Sequence, residues 1–175
     1  MFRQGLLTVL LLTTTSVVVA SPGPHPPFEV TGCVIKNHDG DTIKLATQEF
    51  GTLNVRFSGA DTPEAGQAYW KVARDLLKAQ VEGKSTTVWC YKRDKYDREV
   101  CHVRVGRQDL GQALIESGYA WYAFQFAAEL SEAQRQAYSE GERRARERRI
   151  GLWQAPDPMP PWECRKIRKA KQKCR

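Results

Sequence analysis

Beyond its first twenty residues the sequence has no long apolar run. Even there the run Leu6 to Leu12 is interrupted by Thr13-Thr14-Thr15-Ser16, short of the ~20 apolar residues that span a bilayer. A multispan membrane protein is therefore excluded. With 41% hydrophobic and 27% charged positions and a mean hydropathy of -0.54, collagen-like and low-complexity disordered chains are excluded as well. Internal repeats are lacking. No cysteine follows the apolar run, which argues against a lipid anchor, and none of the spacings among Cys33, Cys90, Cys101, Cys164 and Cys174 is that of a zinc-binding pair.

What is there reads as one globular domain with an attachment at each end. Arg3, the apolar run and Val18-Val19-Ala20 before Ser21 have the order of an export signal, with cleavage expected after residue 20 and an uncleaved anchor as the alternative. Residues 21–27 form a Pro-rich leader. The expected location is secreted or periplasmic. At the other end, residues 163–175 carry seven Lys or Arg against Glu163 alone. Setting these and Arg3 aside reduces the 27 basic residues to 19 and the 20 acidic ones to 19, so the body is neutral and the tail holds the charge. Such a tail suits a polyanion through counterion release, and equally suits a solvated extension that keeps the chain soluble.

Five cysteines in an exported chain point to disulfides. Cys90 and Cys101 lie in two strand-like segments, 86–91 and 99–105, flanking the turn-rich stretch 93–98. Pairing about Lys95 and Tyr96 brings the two cysteines face to face, and a bridge closing this short loop contributes on the order of 3 kcal/mol. Cys164 with Cys174 is the second expected pair, which leaves Cys33 over.

Residues 28–36, 41–46 and 51–58 alternate apolar and polar side chains and are separated by turn residues, so three successive antiparallel strands are expected. Helical spacing of Tyr69, Val72, Ala73, Leu76 and Leu77 predicts a helix over 66–80. The hairpin above supplies strands four and five. A short helix over 110–117 opens at an Asp109-x-x-Gln112 capping box, and a longer one runs from Ser131 to about Arg149, with Gly118 and Gly151 as stops. Pro156, Pro158, Pro160 and Pro161 are expected to end regular structure, leaving 155–175 as linker and tail. This is an α+β pattern in which a small barrel buries every strand, with Trp89, Tyr119 and Trp153 expected in the core.

Two acidic clusters carry the candidate chemistry. Asp39-Gly40-Asp41-Thr42 and Asp61-Thr62-Pro63-Glu64 are, taken singly, a hairpin turn and a helix entry. Their company raises them: Arg56 stands five residues before Asp61, and the hairpin tip Asp94-Lys95-Tyr96-Asp97-Arg98 offers a second arginine. Carboxylates are hard ligands for a cation such as Ca²⁺ or Mg²⁺. Phosphodiester hydrolysis requires that cation, a group that activates water, and positive charge for the in-line transition state. The histidines His25, His38 and His102 need no catalytic role in this mechanism and read as leader, turn and strand residues.

These motifs, with the closing Gly151-Leu152-Trp153, resemble in kind and order those of the staphylococcal-nuclease-like (thermonuclease) family, over 28–154. The resemblance implies a five-stranded OB-type barrel with three helices and Ca²⁺-dependent endonucleolytic cleavage of DNA and RNA. Single strands would be favoured, the ends would carry 3′-phosphates, and the protein would act as a monomer. By position, Asp41, Asp61 and the carbonyl of Thr62 would bind the cation, Arg56 and Arg98 would clamp the phosphate, Glu64 would be the general base, and Tyr96 would line the nucleotide pocket. Three positions depart from the pattern. Asp97 replaces the usual glycine before the second arginine, which predicts an unfavourable backbone there and extra negative charge near the phosphate, and Phe124 and Phe126 replace tyrosines. The added cysteines and basic tail resemble exported bacterial members.

Overall fold

The computed structural model describes residues 26–174. The export signal and most of the leader lie outside the described residues. In chain order the elements are β1 (Phe28–Asn37), β2 (Thr42–Thr47), β3 (Gly51–Phe57), β4 (Ala60–Asp61), α1 (Trp70–Val81), β5 (Ser85–Arg93), β6 (Glu99–Val105), β7 (Gln108–Asp109), α2 (Leu110–Glu116), β8 (Trp121–Tyr122), α3 (Glu132–Glu147) and α4 (Pro161–Lys169). Short stretches of 3₁₀ helix occupy Phe124–Glu129 and Gly151–Gln154.

Strands β3, β2, β1, β5 and β6 pair antiparallel in that order, and β3 then pairs parallel with β6, which closes the five into a barrel. The period-two pattern explains the closure. Ile43 and Leu45 of β2, Leu53, Val55 and Phe57 of β3, and Val88 and Cys90 of β5 point inward and are buried, while their neighbours face out. Leu77 of α1, Leu110, Leu114 and Ile115 of α2, and Tyr138 of α3 complete this core. Each fully buried aliphatic side chain contributes roughly 1.5–3 kcal/mol of transfer free energy. The Tyr138 hydroxyl keeps its polar end satisfied by donating to Asp109 Oδ1 at 2.9 Å. A second cluster of Trp121, Ala145, Leu152 and Trp153 seats the closing Gly-Leu-Trp motif, with Trp162 packed against it.

The hairpin disulfide forms where the register requires it, Cys90 being paired with Cys101 across β5 and β6, and Cys164 is bridged to Cys174, leaving Cys33 free. Several boundaries differ from expectation. α1 begins at residue 70, not 66, because Gly66 and Tyr69 take left-handed backbone with φ of 92° and 65°, which a helix cannot contain. The Asp109 side chain caps α2 by accepting from Gln112 N–H. The reciprocal half of a capping box is missing, since the Gln112 amide donates to Glu116 instead. The full box is at Ser131 and Gln134, opening α3. Trp89 is on the outer face of β5 and is 40% exposed, stacked on His102, so it is not core. Most consequential, the prolines do not end regular structure. Pro161 stands at the first helical position, where its missing N–H and fixed φ are tolerated, and α4 follows.

Candidate active site

The barrel register builds the site. Thr42 of β2 faces Arg56 of β3, so Asp41, one residue earlier, lies beside the Arg56 guanidinium. Arg56 alternates with the inward Val55 and Phe57 and so projects from the outer side of the barrel wall. Its Nη1 is 2.5 Å from Asp41 Oδ1 and its Nη2 donates to Asp61 Oδ1 at 2.7 Å, while Nη1 also donates to the Ala60 carbonyl at 3.2 Å. One guanidinium thus joins the loop before β2 to the segment β4. Thr62 adds a second joint, its N–H and hydroxyl both donating to Asp41 Oδ2. Gly40 makes this approach possible, because a Cβ there would meet Thr62 Cγ2 at 2.7 Å and Ala73 Cβ at 2.9 Å.

Asp39 braces the turn by accepting from Asp41 N–H at 3.0 Å. Burial and the neighbouring Asp41 charge push its carboxyl up to about 7. Burial acts against Asp41 too, but the Arg56 charge and the Thr62 hydrogen bonds outweigh it and hold Asp41 below the usual carboxylate range. Asp61 goes the other way: burial raises it despite two neighbouring guanidiniums.

Asp41, Arg56, Asp61, Thr62, Glu64, Tyr96 and Arg98 all line one cleft of about 800 Å³. The geometry brings together every site residue expected from the sequence. A family model described as "Staphylococcal nuclease homologue" matches residues 54–155. Over 176 aligned residues the chain is 30% identical to the micrococcal nuclease of Shigella flexneri, covering 95% of this chain and 97% of the relative. It is 31% identical over 137 residues to an uncharacterized endonuclease of Escherichia coli O157:H7, covering 77% of this chain and 84% of that one. It is also 35% identical over 116 residues to the staphylococcal-like nuclease CAN1 of Arabidopsis thaliana, covering 65% of this chain but spanning only 33% of that longer protein. The chain belongs to the staphylococcal nuclease homologue family.

Within this nuclease-family site the hairpin tip is more ordered than its sequence suggests. Asp94 accepts from the backbone N–H groups of Tyr96 and Arg98 with Oδ1, and from Arg98 Nε and Nη2 with Oδ2 at 2.9 and 2.7 Å. Arg98 is thereby aimed along the cleft, with its guanidinium 5.4 Å from the exposed Tyr96 ring. Asp97 does take the left-handed conformation expected of a glycine position, φ 59°. Its carboxylate nevertheless points away from the cleft toward Arg93, at 3.3 Å, so the added charge is kept off the site. Phe126 lines the cleft, whereas Phe124 packs edge-on to Trp162.

Sequence reasoning missed Asp94 as the holder of Arg98, and missed α4 altogether. Trp162, Arg165, Lys166 and Lys169 of that helix line the cleft together with Lys92, Lys95 and Arg98. Arg165 reaches furthest, donating to Asp61 and Glu64. Its only signal in the sequence is membership of a basic run, and the run does not say which member turns inward.

Proposed function

We propose that this phosphodiester hydrolase is a Ca²⁺-dependent endonuclease of DNA and RNA that favours single strands, leaves 3′-phosphate ends and works as a monomer. The observation that carries the reading is the meeting of Asp41, Asp61 and Arg56 on the floor of a cleft whose walls hold Glu64 and Arg98.

The donor set fits a hard cation. Asp39, Asp41, Asp61 and Glu64 bring four carboxyls to the site, with the guanidiniums of Arg56 and Arg165 among them and that of Arg168 at Glu64, so oxygen donors of high charge density are gathered in one place. Among the described residues no three His, Cys, Asp or Glu side chains form a metal-binding group. The side-chain ligands would be Asp41 and Asp61, which Arg56 and Thr62 hold together, with the Thr62 carbonyl and water completing an open shell of oxygen donors. When bound there, calcium supplies Lewis-acid polarisation of the phosphoryl oxygen.

The chain's own residues do the remainder. Glu64, at the cleft wall, takes a proton from the attacking water as its oxygen bonds to phosphorus. Arg56 and Arg98 offer fixed N–H donors to the nonbridging oxygens, where charge grows in the transition state. The bond from phosphorus to the 5′ oxygen breaks, the departing oxygen takes a proton from solvent water to become a hydroxyl, and Glu64 returns its proton to solvent. Tyr96, exposed beside Arg98, offers a stacking face for a base, which suits unpaired strands.

No helix among the described residues is long and apolar enough to cross a membrane, and two disulfides fit an oxidising compartment. The disulfides accord with export directed by residues 1–20 and release as a secreted or periplasmic enzyme. Cleavage of an end-labelled oligonucleotide with and without calcium, for wild type and Glu64→Ala, tests the reading. Loss of cleavage on chelation and a fall of orders of magnitude in E64A are expected. Binding without cleavage in the wild type would instead make the chain a nucleic-acid-binding barrel.

A further inference from the structure

The C-terminal helix lies outside the family match, which ends at residue 155, yet it enters the site. It is firmly seated. Pro161 and Cys164 are buried, Trp162 packs edge-on to Trp121 and Phe124 at centroid distances of 6.5 and 6.1 Å, and the Cys164–Cys174 bridge ties the helix to the chain that follows it. Gln67, itself buried, donates to the Met159 carbonyl at 2.9 Å and holds the approach to the helix against the Glu64 loop. Arg165 follows Cys164 directly, so its backbone position is set by that packing.

From there the Arg165 guanidinium forms a fork. Nη2 donates to Asp61 Oδ2 at 2.6 Å, and Nη1 donates to Asp61 Oδ1 at 3.1 Å and to Glu64 Oε1 at 2.8 Å. Arg56 already donates to Asp61 Oδ1. A carboxylate offers about four acceptor positions, and three of those on Asp61 are taken by guanidinium N–H groups. Arg168, one turn further, donates to Glu64 Oε2 at 3.4 Å and to the Ala65 carbonyl, so it anchors the helix on the Glu64 loop without touching Asp61.

We propose that Arg165 is a positioning residue that acts as a tethered cation: it occupies the Asp61 and Glu64 oxygens in the metal-free protein, and a divalent cation must displace it to bind. This rests on the reading of Asp41 and Asp61 as the cation ligands. Arg56 takes only Oδ1 of Asp61 whereas Arg165 takes both oxygens, so a cation bonded at 2.3–2.6 Å to either one would share it with the Arg165 guanidinium, and like charges so close repel. The same departure frees Glu64 Oε1 to act on water. Arg165 then sets the calcium concentration at which the site fills, and the displaced guanidinium stays on the rim of the same cleft as an added partner for phosphate.

Calcium binding, followed by titration calorimetry on the full, disulfide-intact chain without nucleic acid, tests this. Arg165→Gln should bind calcium about tenfold more tightly than wild type, the scale of one charge-assisted pair removed. Arg165→Lys, which keeps the charge without the fork, should fall between them. Arg168→Gln should shift affinity less than Arg165→Gln. Unchanged or weaker binding in Arg165→Gln would overturn the proposal, as would an equal effect of Arg168→Gln, which would assign the change to helix docking. If neither wild type nor Arg165→Gln binds calcium while both stay folded, the cation reading fails and this proposal falls with it. Calcium binding with equal affinity in both defeats this proposal alone.

Discussion

Asp41 Oδ2 accepts two hydrogen bonds from one residue, the Thr62 N–H at 2.6 Å and the Thr62 hydroxyl at 2.8 Å. The two residues come from loops 21 positions apart, so this pair, with the Arg56 bridge, fixes the distance between the carboxylates that would hold the cation. Thr62→Val removes the hydroxyl and keeps the carbonyl in place. The lost bond to a charged, buried acceptor should cost about 1.5–3 kcal/mol in urea unfolding. Calcium affinity should fall by less than the effect of Asp41→Asn, because the carboxylate is loosened and not lost. An unaltered unfolding midpoint would show that the N–H alone holds Asp41.

Arg56 cannot be treated as a purely catalytic group. Its guanidinium is the main counter-charge of two buried carboxylates, and removing it leaves Asp41 without a guanidinium partner and Asp61 with Arg165 alone. Arg56→Gln should therefore be destabilised by about 3–5 kcal/mol in chelator. Calcium supplies the missing charge, so it should raise the melting temperature of Arg56→Gln more than that of wild type. Turnover should stay far below wild type even where calcium has restored folding. Equal thermal shifts in the two proteins would mean that the cation does not sit between these carboxylates.

These couplings show which parts of the molecule could be read from sequence. The barrel was legible because alternation in β2 and β3 and the facing Cys90 and Cys101 each follow from a short-range period. Asp41, Arg56 and Asp61 were legible as a set because Arg56 stands five residues before Asp61 and the acidic motifs follow one another in the order that the nuclease family has. The contact of Arg165 with Asp61 spans 104 residues and no local pattern encodes it. The prolines hid α4 because the same residue that stops a helix also starts one. Trp89 was misplaced because alternation gives two faces and composition alone does not say which is inner. Left-handed backbone at Tyr69, which delays α1, has no signal in a residue that is not glycine.

Asp94 holds Arg98 by a fork of charge-assisted bonds and also ties the turn through Tyr96 N–H. Burial alone would raise its carboxyl, but Arg98 and the backbone donors outweigh this and keep it low, so it stays ionised at working pH. Asp94→Ala should leave the fold intact, because the strands remain joined by the disulfide, while Arg98 loses its aim. Turnover should fall by at least tenfold with a smaller change in KM, the mark of an interaction used mainly in the transition state. A KM effect alone would make Arg98 a ground-state binding group.

His102 gives a pH dependence of stability separate from the chemistry. Its ring is half-buried on β6, stacked on Trp89 at 5.4 Å and near Tyr91, with Nδ1 3.0 Å from the Gln134 amide nitrogen. Burial lowers its native pKa below 6.5, Arg104 adds to the lowering, and Asp109 opposes it. The native state therefore binds fewer protons than the unfolded chain in this range, so stability rises with pH. The contribution is complete above the unfolded value of about 6.5 and is lost as pH falls from there toward the depressed native value, at about 1.4 kcal/mol per unit of depression. His38, also lowered by burial and by Lys36 and Lys44, contributes in the same direction, so the decisive quantity is a difference between proteins. Urea unfolding at pH 8 and pH 5 should show a larger loss for wild type than for His102→Phe, which keeps the stacking face and cannot titrate. Equal losses would place the acid sensitivity at His38 or among the carboxylates.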